Sequence, residues 1–163
     1  MVDDTTAEIA VNDELVRSAL ACCCRLEVIT LFLVIRADGA SHAACKRGWN
    51  SCMNLLWSAS GSSKVLSRIN IAFLACDCDG DYCQEKSAFL ENIDLLDWTR
   101  VDTFVDRCGS SLRHVTIKAM DGPYRKKGSF GDRDNVMGDL GNAVSGVVSQ
   151  RVSMRTRHLL KFL

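Results

Sequence analysis

Residues 74–83 read LACDCDGDYC, three cysteines and three aspartates in ten positions, directly behind the apolar run Ile69-Asn70-Ile71-Ala72-Phe73. Thiolates and carboxylates at that density can ligate a metal, attack phosphorus or simply turn a strand. A calcium loop opening at Asp77 would need a glycine at its sixth position and a bidentate glutamate at its twelfth. Tyr82 and Ala88 stand there instead. Zinc is poorly served too: Cys76 and Cys78 are followed by four residues before Cys83, and the fourth ligand would have to come from Asp77, Cys45 or a distant histidine. No metal site and no cofactor are expected.

The catalytic possibility is sharper. Asp77-x-Asp79-Gly80 behind an apolar strand resembles the first motif of haloacid-dehalogenase-like phosphohydrolases. The resemblance implies that Asp77 attacks phosphorus and Asp79 handles the proton, both carboxylates being aimed at magnesium and phosphate. Gly131-Asp132-Arg133-Asp134-Asn135 is loosely similar to that family's late acidic motif, with Lys126 or Lys127 as the phosphate-neutralising lysine. Asp81 replaces the threonine of the first motif, and Val136 the final aspartate of the late one. The same ten residues also make an acidic turn, in which Gly80 is free to take positive φ and the aspartates bond local backbone. The turn is the expected role, and a magnesium-dependent phosphohydrolase using Asp77 and Asp79 is the alternative.

Other chemistry finds little support. The histidines are His42, His114 and His158, with no H-E-x-x-H, G-x-S-x-G or Walker loop. Residues 58–64, SASGSSK, lack the first glycine of a phosphate cradle and read as a helix-to-strand turn. Cys22-Cys23-Cys24 end the amphipathic pattern Leu15, Ala19, Leu20 and are expected to pack against the following strand. Nine cysteines, three of them adjacent, suit a reducing compartment better than a disulfide framework.

The elements that would position these residues emerge from repetition. LEVITL (26–31), LSRINI (66–71), LENIDL (90–95) and LRHVTI (112–117) share Leu-x-x-(Ile/Val)-x-(Leu/Ile), their leucines separated by 40, 24 and 22 residues. The last two spacings fall within the leucine-rich-repeat period. Alternation puts the fourth and sixth positions on one face of a strand. Between hexads the period becomes helical: Trp49, Cys52, Met53 and Leu56 after the first, Trp98, Val101, Phe104, Val105 and Cys108 after the third. Strand, helix, strand, helix predicts an α/β fold, a leucine-rich-repeat-like array of strand-helix units with a parallel sheet. The core repeats cover about residues 15–120. Residues 121–163 supply a loop around Pro123, then a helix and a short strand.

At these residues a resemblance appears. CGSSLRHVTI and CCRLEVITL look like the cysteine-containing class of leucine-rich repeat. LENIDLLDWTRVDTFVDRCGSSLRHVTI, with its Asp97-Trp98 pair, resembles the leucine-rich-repeat-like region of F-box proteins from mushroom-forming fungi. The resemblance implies a non-enzymatic protein-interaction module serving substrate recognition in F-box-type ubiquitin ligation. Leu74, Trp98 and Met120 stand where leucine-rich repeats carry asparagine, and the Leu-Pro-rich F-box motif itself is absent.

If the leucine-like positions face the core, Val28, Arg68, Asn92 and His114 form one outward row, and Thr30, Asn70, Asp94 and Thr116 the next. Strands about 4.8 Å apart make each row roughly 15 Å long, enough for part of a partner peptide or domain edge. Arg68, Asn70, Asn92, Asp94, His114 and Thr116 are therefore the candidate partner-binding residues.

Composition sets the outer bounds. The 163 residues, 47% hydrophobic and 25% charged, predict a single domain with an ordinary core. Twenty basic and twenty acidic residues cancel, so no global charge draws the chain to nucleic acid or a membrane, although a local patch is compatible with that balance. Val28 to Ile35 is too short to span a bilayer. The acidic start, MVDDTTAEIAVNDE, lacks the features of a secretory signal, which predicts a cytoplasmic or nuclear location. The expected partner is a protein.

Overall fold

The computed structural model describes residues 14–20, 22–36, 42–62, 64–76, 82–121 and 133–163. A short helix, α1 (residues 14–20), leads into β1 (Val28–Arg36), then α2 (His42–Ser62), β2 (Arg68–Cys76), α3 (Tyr82–Asp94), α4 (Thr99–Cys108) and β3 (His114–Asp121). The chain closes with α5 (Arg133–Arg151), α6 (Met154–Leu159) and β4 (Leu160–Phe162). This is an α/β fold in which four parallel strands stand in the order β1-β2-β3-β4. No helix among the described residues is long and apolar enough to cross a membrane.

Three of the four hexads open strands as their alternation demands. Ile29 and Leu31, Ile69 and Ile71, and Val115 and Ile117 all point into one core. The strands run on past the hexads, adding Leu33, Ile35, Phe73 and Ala119 to the same inward face. The helical stripes also fall where the spacing put them. Trp49, Met53 and Leu56 of α2 are buried, as are Trp98, Val101, Phe104 and Val105 at α4. The expected C-terminal helix and short strand are present too, with β4 extending the sheet beside β3.

The third hexad departs from the expectation. The first five residues of LENIDL are the last turn and a half of α3, and Leu95 follows in a turn; none of the hexad is strand. Its sixth position, Leu95, is 51% exposed, whereas Phe89, Asn92, Ile93 and Leu96 are buried. That spacing of three and four is the stripe of a helix, and the first and fourth hexad positions fit it as well as they fit a strand. With no strand there, the repeating unit is longer than the hexads implied. Val28 pairs with Arg68, Arg68 with His114 and Val115 with Leu160, offsets of 40, 46 and 45 residues.

Two glycines are used for geometry. A Cβ on Gly48 would stand 2.8 Å from Leu33 Cδ1, so its absence lets α2 lie close over β1. Gly109 adopts φ +59° where α4 ends, and its N–H donates to the Val105 carbonyl. At α6, the Ser153 hydroxyl caps the Thr156 N–H, while the Ser153 N–H donates at 3.0 Å to both Asp102 carboxylate oxygens of α4.

Candidate functional site

Because the inward positions of β1 to β3 are the odd-numbered ones, the even-numbered side chains stand on the opposite face in rows fixed by register. Val28, Arg68 and His114 form the first row; Thr30, Asn70, Thr116 and, on β4, Lys161 form the second. Asn70 Nδ2 donates to Thr30 Oγ1 at 3.0 Å, tying two strands across the second row. Phe32, Ala72 and Lys118 make the third row, and Val34, Leu74 and Met120 the fourth. Parallel sheets are usually covered on both faces. Here Phe32 is 59% and Val34 51% exposed, and Thr30, Arg68, Lys118 and Lys161 are exposed as well.

The face is chemically one-sided. None of the outward residues described on the four strands is acidic, while Arg68, Lys118 and Lys161 are cationic. Arg113 joins them just before β3. The His114 imidazole is held below its ordinary pKa, first by partial desolvation and then by Lys161, Arg68 and Arg113. Polar, positively charged rows thus grade into apolar ones toward the carboxyl ends of the strands. An extended or amphipathic segment carrying carboxylates beside apolar side chains would complement both halves.

Four of the six candidate residues, Arg68, Asn70, His114 and Thr116, share this face in the two expected rows. The other two do not. Asn92 is buried in α3, where His42 Nδ1 lies 3.2 Å from its Oδ1 and joins the start of α2 to α3. Asp94 ends α3 and holds Arg151 of α5 through two hydrogen bonds of 2.7 and 2.6 Å. Both placements follow from the helical course of LENIDL, and both leave these residues binding helix to helix.

Phe32, Val34, Lys118 and Lys161 belong to the face although hexad spacing did not single them out. For Phe32 and Val34 the signal was the apolar run Phe32-Leu33-Val34-Ile35 after LEVITL, which prolongs β1 with side chains for both faces. The cysteine triplet is corrected as well. Cys22, Cys23 and Cys24 are exposed free thiols instead of core residues, because the chain turns there between α1 and β1.

Asp77, Asp79, Lys126 and Lys127 lie outside the described residues, as do Cys78 and Gly80. Residues 58–62 are helical, the last of α2, and Lys64 and Val65 lie in a turn ahead of β2. No group of three metal-ligating side chains is found among the described residues. Compared with known proteins, the chain matches no family model, no curated protein and no solved structure.

Proposed function

We propose that the chain is a non-enzymatic protein-interaction module that reads its partner with the open face of the sheet. The observation that carries this reading is the register itself: Val28-Arg68-His114 and Thr30-Asn70-Thr116-Lys161 run unbroken across parallel strands, with Phe32 and Val34 exposed beside them. Exposed apolar side chains among cations are the composition of a recognition surface, whereas a merely solvated face would not need Phe32 and Val34. The sequential order of the strands is the order a leucine-rich-repeat-like array would have, which supports this reading. The 40- to 46-residue unit is longer than the 20 to 29 residues of ordinary leucine-rich repeats. Substrate recognition in F-box-type ubiquitin ligation is the role that the sequence resemblance adds to this reading.

The phosphohydrolase alternative predicts a different sheet. A doubly wound fold reverses its strand order and binds ligand at the reversal. The order β1-β2-β3-β4 has no such point, and this favours the interaction reading.

The test is a photo-crosslinking amino acid placed at Phe32, compared with one at Thr103 on the exposed side of α4. A partner captured from Phe32 alone is then purified and its Kd measured. Arg68→Glu combined with Phe32→Asp should weaken binding by at least about a hundredfold, through one lost anchor and one reversed charge. Equal affinity for wild type and variant would refute the reading.

A further inference from the structure

Cys22, Cys23 and Cys24 form a cluster that neither the core nor the open sheet face uses. All three are exposed and free, and Cys23 Sγ lies 3.2 Å from the Ala19 carbonyl in α1. Beside them, α1 presents Leu15 at 65% and Val16 at 44% exposure. A thiol cluster next to exposed apolar side chains on a helix is the setting in which S-acylation occurs. A soft-metal site does not fit, because no group of three ligating side chains comes together among the described residues.

A second, independent feature lies on the same edge of the sheet. The Glu27 carbonyl accepts from the Ser67 and Arg68 N–H groups at 2.9 and 3.1 Å, and the Ser67 carbonyl accepts from those of Arg113 and His114 at 2.8 and 3.2 Å. These bonds bind the approaches to β1, β2 and β3 side by side. Arg25, Lys64, Arg68 and Arg113, all exposed, therefore line one edge, immediately after the triplet, and Lys161 stands one row further in. Glu27, also exposed, sits on the same edge, so four cations against one carboxylate leave a local positive surplus in a chain with no net charge. One acyl chain holds a protein to a bilayer only marginally, and stable attachment takes a second chain or a basic patch. Both are available here.

We propose that Cys22-Cys23-Cys24 is a reversible S-acylation site and that the acylated triplet, with the cationic edge beside it, seats the protein on an anionic lipid bilayer. In the modifying step a cysteine thiolate attacks the carbonyl carbon of a long-chain acyl-coenzyme A. The new sulfur–carbon bond forms as the thioester bond to coenzyme A breaks, and the coenzyme leaves as a thiol carrying the proton the cysteine gave up. Nothing is oxidised or reduced. Leu15 and Val16 then enter the interfacial region together with the acyl chain, while Arg25, Lys64 and Arg113 face lipid phosphates.

The full chain, produced in a eukaryotic cell that contains acyltransferases, tests this directly. Hydroxylamine should release thiols that map to residues 22–24, and Cys22→Ser with Cys23→Ser and Cys24→Ser should abolish that release and cut the membrane-bound fraction about tenfold. Arg25→Glu with Lys64→Glu and Arg113→Glu should leave acylation in place and still lower the bound fraction about tenfold. Because all six positions are exposed, both variants are expected to retain the wild-type circular dichroism spectrum. No hydroxylamine-sensitive label at residues 22–24, or an unchanged membrane fraction in either variant, would overturn the proposal.

Discussion

Trp49 and Trp98 meet with ring centroids 4.9 Å apart and planes tilted by 55°. Their N–H groups reach the same junction from opposite sides along the chain: Trp49 Nε1 donates forward to the Asp97 carbonyl at 3.1 Å, and Trp98 Nε1 back to the Ile93 carbonyl at 2.9 Å. Helix α3 ends between those carbonyls and α4 begins just beyond them. Helix ends leave carbonyls short of intrahelical partners, and the two buried indoles add a donor to each of these carbonyls, the one at Ile93 fully buried and the one at Asp97 partly so. Phe73 of β2 completes the cluster, 6.4 Å from Trp49 and 6.2 Å from Trp98, so the sheet, α2 and the α3–α4 junction share one aromatic centre.

Substitution at Trp98 separates the two contributions. Trp98→Phe keeps the ring and removes the donor, and should cost about 1 kcal/mol, since the Ile93 carbonyl still accepts from the Leu96 N–H at 3.3 Å. Trp98→Ala should cost about 3–5 kcal/mol through the cavity it leaves. Urea unfolding of both variants measures the difference. Equal losses would mean that the hydrogen bond, not the packing, holds the junction.

Neighbouring residues of β1 should respond in opposite ways. Leu33 is 5% exposed and packs under Gly48, so Leu33→Ala should cost about 2–5 kcal/mol. Phe32→Thr on the open face should change stability by no more than about 0.5 kcal/mol while weakening partner binding. Thermal melts of the two variants check the first half, and a titration with the captured partner the second. A large loss of stability for Phe32→Thr would place it in a covered layer.

These contrasts mark how far the sequence could be read. Strand alternation needs only two well-placed apolar side chains, and LEVITL, LSRINI and LRHVTI each supply them. LENIDL has the same letters, yet Phe89 before it and Leu96 after it complete a helical stripe that a six-residue window does not contain. The hexad alone therefore points Asn92 and Asp94 to strand rows, whereas both lie in α3. The Arg68 and His114 rows were legible because register follows from alternation in every parallel pair. The exposure of Phe32 and of Cys22-Cys23-Cys24 was not, because an apolar letter says nothing about whether a second layer covers it.

Thiol reactivity should divide the cysteines. Burial raises the Cys108 pKa from 9.0 to about 11, against the smaller opposing effect of Arg107. At pH 8 that difference leaves about a hundredfold less thiolate than an unshifted thiol would have. Iodoacetamide labelling followed by peptide mapping should show Cys108 reacting far more slowly than residues 22–24, and accelerating as pH rises toward its pKa. Comparable rates at pH 8 would contradict its half-buried position.

The Asp94–Arg151 pair gives a pH dependence whose sign can be worked out. The hydrogen bonds from the Arg151 guanidinium hold the Asp94 carboxyl below the usual carboxylate range against an opposing desolvation, and the guanidinium charge adds a lesser lowering. A carboxyl with a lower pKa folded than unfolded contributes its full stability above the unfolded pKa and loses it as pH falls through the folded value. The pair is partly exposed, 53% at Arg151 and 36% at Asp94, so the contribution is the modest one of a surface bridge. Asp94→Asn should therefore lower the urea midpoint slightly at pH 7 and at low salt, less at high salt, and not at all once the pH is below the folded carboxyl's range. A difference that persists unchanged in strong acid would show that Asp94 stabilises the end of α3 by something other than its charge. Its salt response would then separate that local effect from the bridge to α5.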